Sequence, residues 1–307
     1  MKYVKGILKF IIIFILVILS ILLTDFIRIQ IFYRINNFEE VSIIDGYKDK
    51  YVPQSITYSS KYNIILQTSY NDDHKASMLY VIDFNSDKVI KKLRLIEPDG
   101  SENTKHVGGI TTNNDIVWIT SDYEIEEYSL DEIINTNDDY IKSTKRDKLY
   151  NRGDACVFYD NMLWIADFYL YPIYKVPDNN PLLLAYPIDN TDYNKPKYAV
   201  GLPRMVQGIA FTNDGKMILT QSYTYLINSK MKVYNNISYN DTIKIKDNEI
   251  PYHKLTRNDM NDNIVLPPMA EGLFYKDKSA YILFESASTK YSLADPKLKK
   301  LIKYNIN

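Results

Sequence analysis

The chain predicts an all-β fold, a β-propeller carried behind one N-terminal membrane-spanning helix. Three observations predict it. A phrase of two apolar strands recurs five times, Asn and Asp fill the turns between strands, and fourteen nearly unbroken apolar residues stand close to the start.

The repeat sets the architecture. It reads PQSITYSSKYNIILQTSY from Pro53 and returns as GGITTNNDIVWITSD from Gly108 and DACVFYDNMLWIADF from Asp154. Two further copies are QGIAFTNDGKMILTQSY from Gln207 and EGLFYKDKSAYILFES from Glu271. Every copy opens on a polar and a small residue, then runs strand, polar turn, strand and polar end. The starts at Gln54, Gly108, Asp154, Gln207 and Glu271 are 54, 46, 53 and 64 residues apart. More amphipathic stretches follow, such as Met78–Phe84 with Val89–Leu95, Met231–Asn236, and in the last unit Lys290–Ala294 with Lys300–Ile306. About four short strands per unit of about 50 residues is the mark of a propeller blade. The inner strands are continuously apolar because neighbouring blades cover both faces, and the outer ones carry the charge.

Five copies predict five blades, with Val41–Asp45 pairing onto the last blade to close the ring. Six blades stay open as an alternative, because residues 228–266 are long enough to hide further strands. Leu130–Thr144 reads as a loop or short helix. An open β-sandwich is the competing architecture.

Composition narrows the function classes. The 307 residues hold 37 Lys+Arg against 38 Asp+Glu, so the basic surplus of a general nucleic-acid binder is missing. A hydrophobic share of 46% supports a packed core and excludes a wholly disordered chain. Gly is scarce at 10 residues while Asn reaches 27, which assigns Asn to turns that need positive φ.

The apolar stretch Phe10–Leu23 is preceded by Lys2, Lys5 and Lys9, and apolar residues continue to Tyr33. No small-x-small cleavage site appears over Ser20–Arg34, so the segment reads as an uncleaved signal-anchor. The lysines ahead of it place the N-terminus in the cytoplasm. The expected organisation is a cytoplasmic start (1–9), a transmembrane helix (10–33) and an extracytoplasmic propeller (34–307). Cys156 is the sole cysteine, which excludes an intramolecular disulfide, and its apolar surroundings make it a buried hydrophobe.

Blade geometry then predicts a site. In an antiparallel hairpin the start of the first strand and the end of the second share a rim, and the ring gathers all five rims around one channel mouth. First-strand starts bring Gln54, Asp154, Gln207 and Glu271, with His106 just upstream of Gly108. Second-strand ends bring Tyr70, Asp122, Asp167, Tyr223 and Glu285. Arg204, entering the fourth copy, is the expected counter-charge. This carboxylate-rich set suits a hard cation such as Ca²⁺, with Glu271, Asp154 and Asp167 as its candidate ligands. His74 and His253 lie in polar segments with no partner histidine. Phosphate-cradling loops, dinucleotide fingerprints, zinc-protease motifs and serine elbows are absent from the sequence.

The Glu271–Gly272 pair and the phrase LWIAD (Leu163–Asp167) resemble blade phrases of the calcium-dependent gluconolactonase and strictosidine-synthase-like propellers. In that family a glutamate opening an E-G strand ligates the metal and an aspartate moves the proton. The resemblance implies the first role for Glu271 and the second for Asp154 or Asp167; the family itself has six blades.

The expected function is a membrane-anchored extracytoplasmic propeller that binds a small molecule, glycan or envelope protein at its channel mouth. The alternative is a metal-dependent lactonase or other hydrolase, with Asp167 and Glu271 as its catalytic pair.

Overall fold

The computed structural model of the chain describes residues 2–35, 38–190 and 192–306. After the helix Lys2–Ile35, these residues form five β-sheets arranged as the blades of a propeller. The first two strands of each blade are the repeated phrase. They are Tyr51–Ser59 and Ile64–Asn71 in blade 1, Gly109–Thr112 and Ile116–Ser121 in blade 2, and Ala155–Tyr159 and Met162–Ala166 in blade 3. Blade 4 has Val206–Phe211 and Met217–Gln221, and blade 5 has Ala270–Lys276 and Ser279–Phe284. Each first strand touches the first strands of both neighbours, so the ring is closed.

Asn and Asp do make the turns. Asp160–Asn161 and Asp277–Lys278 are two-residue hairpin loops with φ of 50°, 56°, 49° and 60°. Asp122–Tyr123 is another, at 50° and 66°. Both central residues of such a primed turn need positive φ, which Asp and Asn tolerate best after Gly.

The small residue that opens each phrase has a packing cause. A Cβ on Gly208 would lie 2.7 Å from the Glu271 carbonyl oxygen, and one on Gly272 would lie 2.6 Å from Ser55 Cα. Five blades make a narrow channel, so adjacent inner strands approach until only Gly, Ala or Ser fits between them. Thr68 and Thr220 reinforce this contact by donating their hydroxyls across the blade boundary, to the carbonyls of Val107 at 2.9 Å and Glu271 at 2.7 Å. At its lower end the channel is filled by Tyr58, Phe158, Tyr159, Phe211, Phe274 and Tyr275, around a space of about 130 Å³.

Glu39–Ile43 closes the ring by pairing antiparallel with Lys300–Asn305. In blade 5 the third strand is therefore Lys300–Asn305 and the fourth comes from the start of the chain. Lys290–Ala294, expected as a strand, is instead loop, which turns its polar side chains toward the mouth. The long stretch before Leu266 hides no sixth blade. Its extra strands, Asp241–Ile245 and Asn248–Lys254, form a hairpin that runs parallel onto the outer strand Tyr198–Gly201 of blade 3. Likewise, Leu130–Thr144 holds a short helix, Leu130–Asn135, and a strand, Tyr140–Lys142, that extends blade 1 in parallel. Both insertions leave one blade and cover the open edge of the blade before it, which shields unpaired backbone groups.

The N-terminal helix has one segment long and apolar enough to cross a membrane, Lys5–Thr24, with a mean hydropathy of 3.1 and none of it buried against the propeller. This segment begins ahead of Phe10 because Ile7 and Leu8 add to the apolar run. Register fixes where the helix joins. Glu39 pairs with Lys303 and Ile43 with Lys300, so the closing strand climbs from the lower face to the mouth face. The chain thus enters the propeller on the face opposite the mouth.

Candidate functional site

Strand starts and strand ends converge on one cavity of about 580 Å³ at the upper end of the channel. Nine of the residues expected there line it: Gln54, Tyr70, His106, Asp122, Asp154, Gln207, Tyr223, Glu271 and Glu285. Two do not. Arg204 is exposed outside the cavity, its guanidinium 5.5 Å from the centre of the Tyr169 ring. Asp167 lies behind the wall, 1% exposed, where its oxygens accept the backbone N–H groups of Arg152 at 2.6 Å and Leu182 at 3.0 Å. Burial raises its carboxyl to about 7, against the pull of those N–H groups. Asp167 therefore positions the segment that carries Arg152 and does not face a ligand.

On the floor sit Glu271 and Glu285, 3% and 7% exposed. Each is backed by one amide: Gln207 Nε2 donates to Glu271 Oε1 at 3.1 Å, and Gln54 Nε2 to Glu285 Oε2 at 3.3 Å. The two carboxyls lie close enough for each to act on the titration of the other. Burial raises both. The charge and hydrogen bond of Glu285 push Glu271 higher still, whereas hydrogen bonds from Tyr291, Glu271 and Gln54 hold Glu285 back. Buried neighbours of like charge disfavour a second ionisation, so both carboxyls stand above the ordinary glutamate range.

The walls carry three cations, of which Lys105 pairs with Glu97 at 2.8 Å and Glu124 at 2.6 Å. Arg152 Nε bonds Asp154 Oδ2 at 3.1 Å and stacks over Tyr123 and Tyr174. Phe168 N–H gives Asp154 a further donor at 2.8 Å. Burial raises the Asp154 carboxyl and Arg152 counters it. Lys290 Nζ is 2.7 Å from both Asp72 Oδ1 and the Tyr70 hydroxyl. Burial opposes its charge, but these two partners outweigh it and push the amine to about 12. Tyr70 in turn stacks on His106 with ring centres 4.4 Å apart. The His106 ring opens to the water of the cavity yet is ringed by protein. Lost solvation, with Lys290 and Arg152 nearby, holds it below its ordinary value although Asp122 pulls the other way. On the opposite side Phe168, Tyr174 and Tyr223 form an aromatic wall, with ring centres 5.3 to 6.5 Å apart.

A Ca²⁺ site does not fit these residues. Asp167 spends both oxygens on backbone N–H groups, Asp154 is matched by Arg152, and Glu271 is engaged with Glu285. Among the described residues no three His, Cys, Asp or Glu side chains are arranged to hold a metal ion. Cys156 is buried and its thiol is pushed up to about 12, which leaves it an inert core residue. His253, near Asp259 at 3.2 Å, lies away from the mouth.

Arg152 had a sequence signal. It stands two residues before Asp154, at the same offset as His106 before Gly108. Lys290 and Tyr291 had none, because KYSLA alternates as a strand does.

No family model matches the chain, and no curated protein matches it. Solved structures similar to it include Myxococcus xanthus glutaminyl cyclase, with a TM-score of 0.50, 8% identity, and coverage of 86% of this chain and 97% of that one. Another is the PQQ-bound aldose sugar dehydrogenase from Streptomyces coelicolor, with a TM-score of 0.49, 12% identity, and coverage of 86% and 96%. At such identity the likeness to the glutaminyl cyclase shows the fold alone, and membership of the gluconolactonase group does not follow from it.

Proposed function

We propose that the protein is a membrane-tethered binding protein whose propeller holds a sugar-sized, hydroxyl-rich ligand at the channel mouth. One observation carries this reading. The cavity of about 580 Å³ combines polar side chains that donate and accept, the buried Gln54, Glu271 and Glu285 and the half-buried Gln207, with the aromatic wall of Phe168, Tyr174 and Tyr223. Its size lies within the range of small-molecule sites. Paired amides and carboxyls match hydroxyl groups, and an aromatic face matches the C–H face of a sugar ring.

The tether is the apolar segment Lys5–Thr24. The closing strand enters the propeller on the lower face, an arrangement that favours a ligand arriving from outside the membrane over a lipid.

The test is a glycan array followed by isothermal titration of mono- and disaccharides against the full chain in detergent micelles. Tyr223→Ala and Gln207→Ala should each weaken binding about tenfold, as expected for loss of one ring contact or one hydrogen bond to a charged group. Sugars that bind wild type and both variants equally would place the site elsewhere, and no binding of any sugar would remove the proposal.

A further inference from the structure

The charge facing the cavity is lopsided. Asp72, Asp122, Asp154, Glu271 and Glu285 stand against Lys105, Arg152 and Lys290, and Lys105 spends its ammonium on Glu97 at 2.8 Å and Glu124 at 2.6 Å, which leaves two cations for the mouth. Both cations are already matched, Arg152 by Asp154 at 3.1 Å and Lys290 by Asp72 at 2.7 Å. The glutamate pair has no such partner. Its donors are the neutral amides of Gln54 and Gln207, with the hydroxyl of Tyr291 beside Glu285. Two carboxyls buried on one cavity floor, with no salt-bridge cation among the described residues, repel one another when both are bare, so the pair holds a proton. The pair therefore occupies the place of a cation-binding group and fills it with the smallest cation available.

Resting on the reading that the cavity takes a sugar-sized ligand, we propose that this ligand carries a primary ammonium group, which takes the place of the proton shared by Glu271 and Glu285. The exchange balances: one ammonium enters, one O–H bond on the pair breaks, and one proton leaves to solvent. The surroundings favour it on balance. Asp154 acts on Glu271 and adds negative potential, whereas Lys290 acts on Glu285 and opposes a second cation. Lys290 is held back, however, by Asp72 and Tyr70. Its own ammonium lies 5.1 Å from the Tyr70 ring centre and 5.7 Å from that of Tyr291, so this corner already accommodates one ammonium on aromatic faces.

An amine of this kind can belong to an amino sugar or to a peptide N-terminus, and the experiment separates them. Isothermal titration of the full chain in detergent micelles, near pH 6.5 in two buffers of different ionisation heat, would use glucosamine, N-acetylglucosamine, glucose, glycyl-tyrosinamide and its N-acetyl form. The free amines should bind at least about tenfold more tightly than their neutral counterparts, the increment of a charged hydrogen bond over a neutral one. Close to one proton should leave per amine bound. Glu271→Gln should abolish both the preference and the proton release, while Tyr223→Ala should weaken charged and neutral sugars alike. Glucosamine binding more tightly than the dipeptide amide puts the amine on a sugar. The reverse keeps the ammonium inference and overturns the sugar reading. Sugars bound without preference for the amine overturn this inference and leave the cavity reading standing, and no binding by any probe overturns both.

Discussion

Replacing Gly272 by Ala tests the physical basis of the ring and of the site together. The added Cβ would lie 2.6 Å from Ser55 Cα, 2.7 Å from Ser55 Oγ and 2.9 Å from Ile56 N. Carbon atoms rest comfortably at about 3.5–4.0 Å, so blades 5 and 1 must part by about 1 Å at their innermost strands. Overpacking of this kind costs about 1–3 kcal/mol. At about 2–4 °C per kcal/mol for a domain of this size, melting should fall by about 2–12 °C.

The residues on either side of the clash belong to the floor of the cavity. Glu271 precedes Gly272 and Gln54 precedes Ser55, so parting these strands also pulls Gln54 away from Glu285. Thermal melting by circular dichroism in detergent micelles reads the first effect, and titration of a bound sugar reads the second. Gly6→Ala is the control, since nothing lies within 4 Å of a Cβ there. The double variant Ser55→Gly with Gly272→Ala removes only the hydroxyl contact and leaves two backbone contacts, so it should regain little. If Gly272→Ala melted within 1 °C of wild type, or if the double variant recovered fully, close backbone approach would not be what demands a small residue here.

Two further outcomes follow from the same structure. A chain starting at residue 38 keeps the closing strand Glu39–Ile43 and should melt like the full-length propeller, whereas one starting at Ile44 leaves Lys300–Asn305 as a bare edge and should aggregate or melt far lower, as size-exclusion chromatography and melting would show. The glutamate pair makes stability depend on pH with an inverted sign. The folded state keeps a proton that the unfolded chain has released, so stability is fullest below the ordinary glutamate value of 4.5 and declines as pH rises through the raised range. Glu271→Gln should therefore lose less stability than wild type between about pH 5 and pH 8, in paired melts at each pH, and parallel curves would show that the pair holds no extra proton.

Much of the ring was legible in the sequence because a blade is buried on both faces. That burial forces continuous apolar strands, and tight turns force Asn or Asp, so each copy of the phrase carries its own evidence. The closing strand at Val41 could be anticipated for a related reason, since an open ring would leave the last blade one strand short. Residues set by tertiary context alone were not legible. Lys290 sits in a loop whose alternation imitates a strand, and only the pairing of Lys300–Asn305 with Glu39–Ile43 shows that blade 5 has no room for it. Asp167 occupies a second-strand end like Asp122, yet the backbone N–H of Arg152 in the loop beside it captures one of its oxygens and that of Leu182 the other. Repeat position predicts which rim a side chain reaches, but the direction it takes from that rim depends on the non-repeating loop beside it.

The chemistry of the mouth arises where the repeat is broken. Equivalent first-strand starts carry Gln, Gly, Asp, Gln and Glu in turn, so a scaffold of near five-fold geometry presents five different groups to one axis. Gly108 supplies no side chain, and His106 and Arg152 line that side of the cavity from the loops beside it. Neighbouring Gln54 and Gln207 flank Glu271 and Glu285 on the other side. An acid-and-amide half thus faces a half in which Arg152 is matched by Asp154. A symmetric ring of five glutamates would repel itself unless it bound metal, and a ring of five glutamines could not choose between a neutral and a charged ligand. On the proposed reading, the alternation keeps a proton where a ligand cation would displace it, and the floor of the cavity, rather than its rim, would select the ligand.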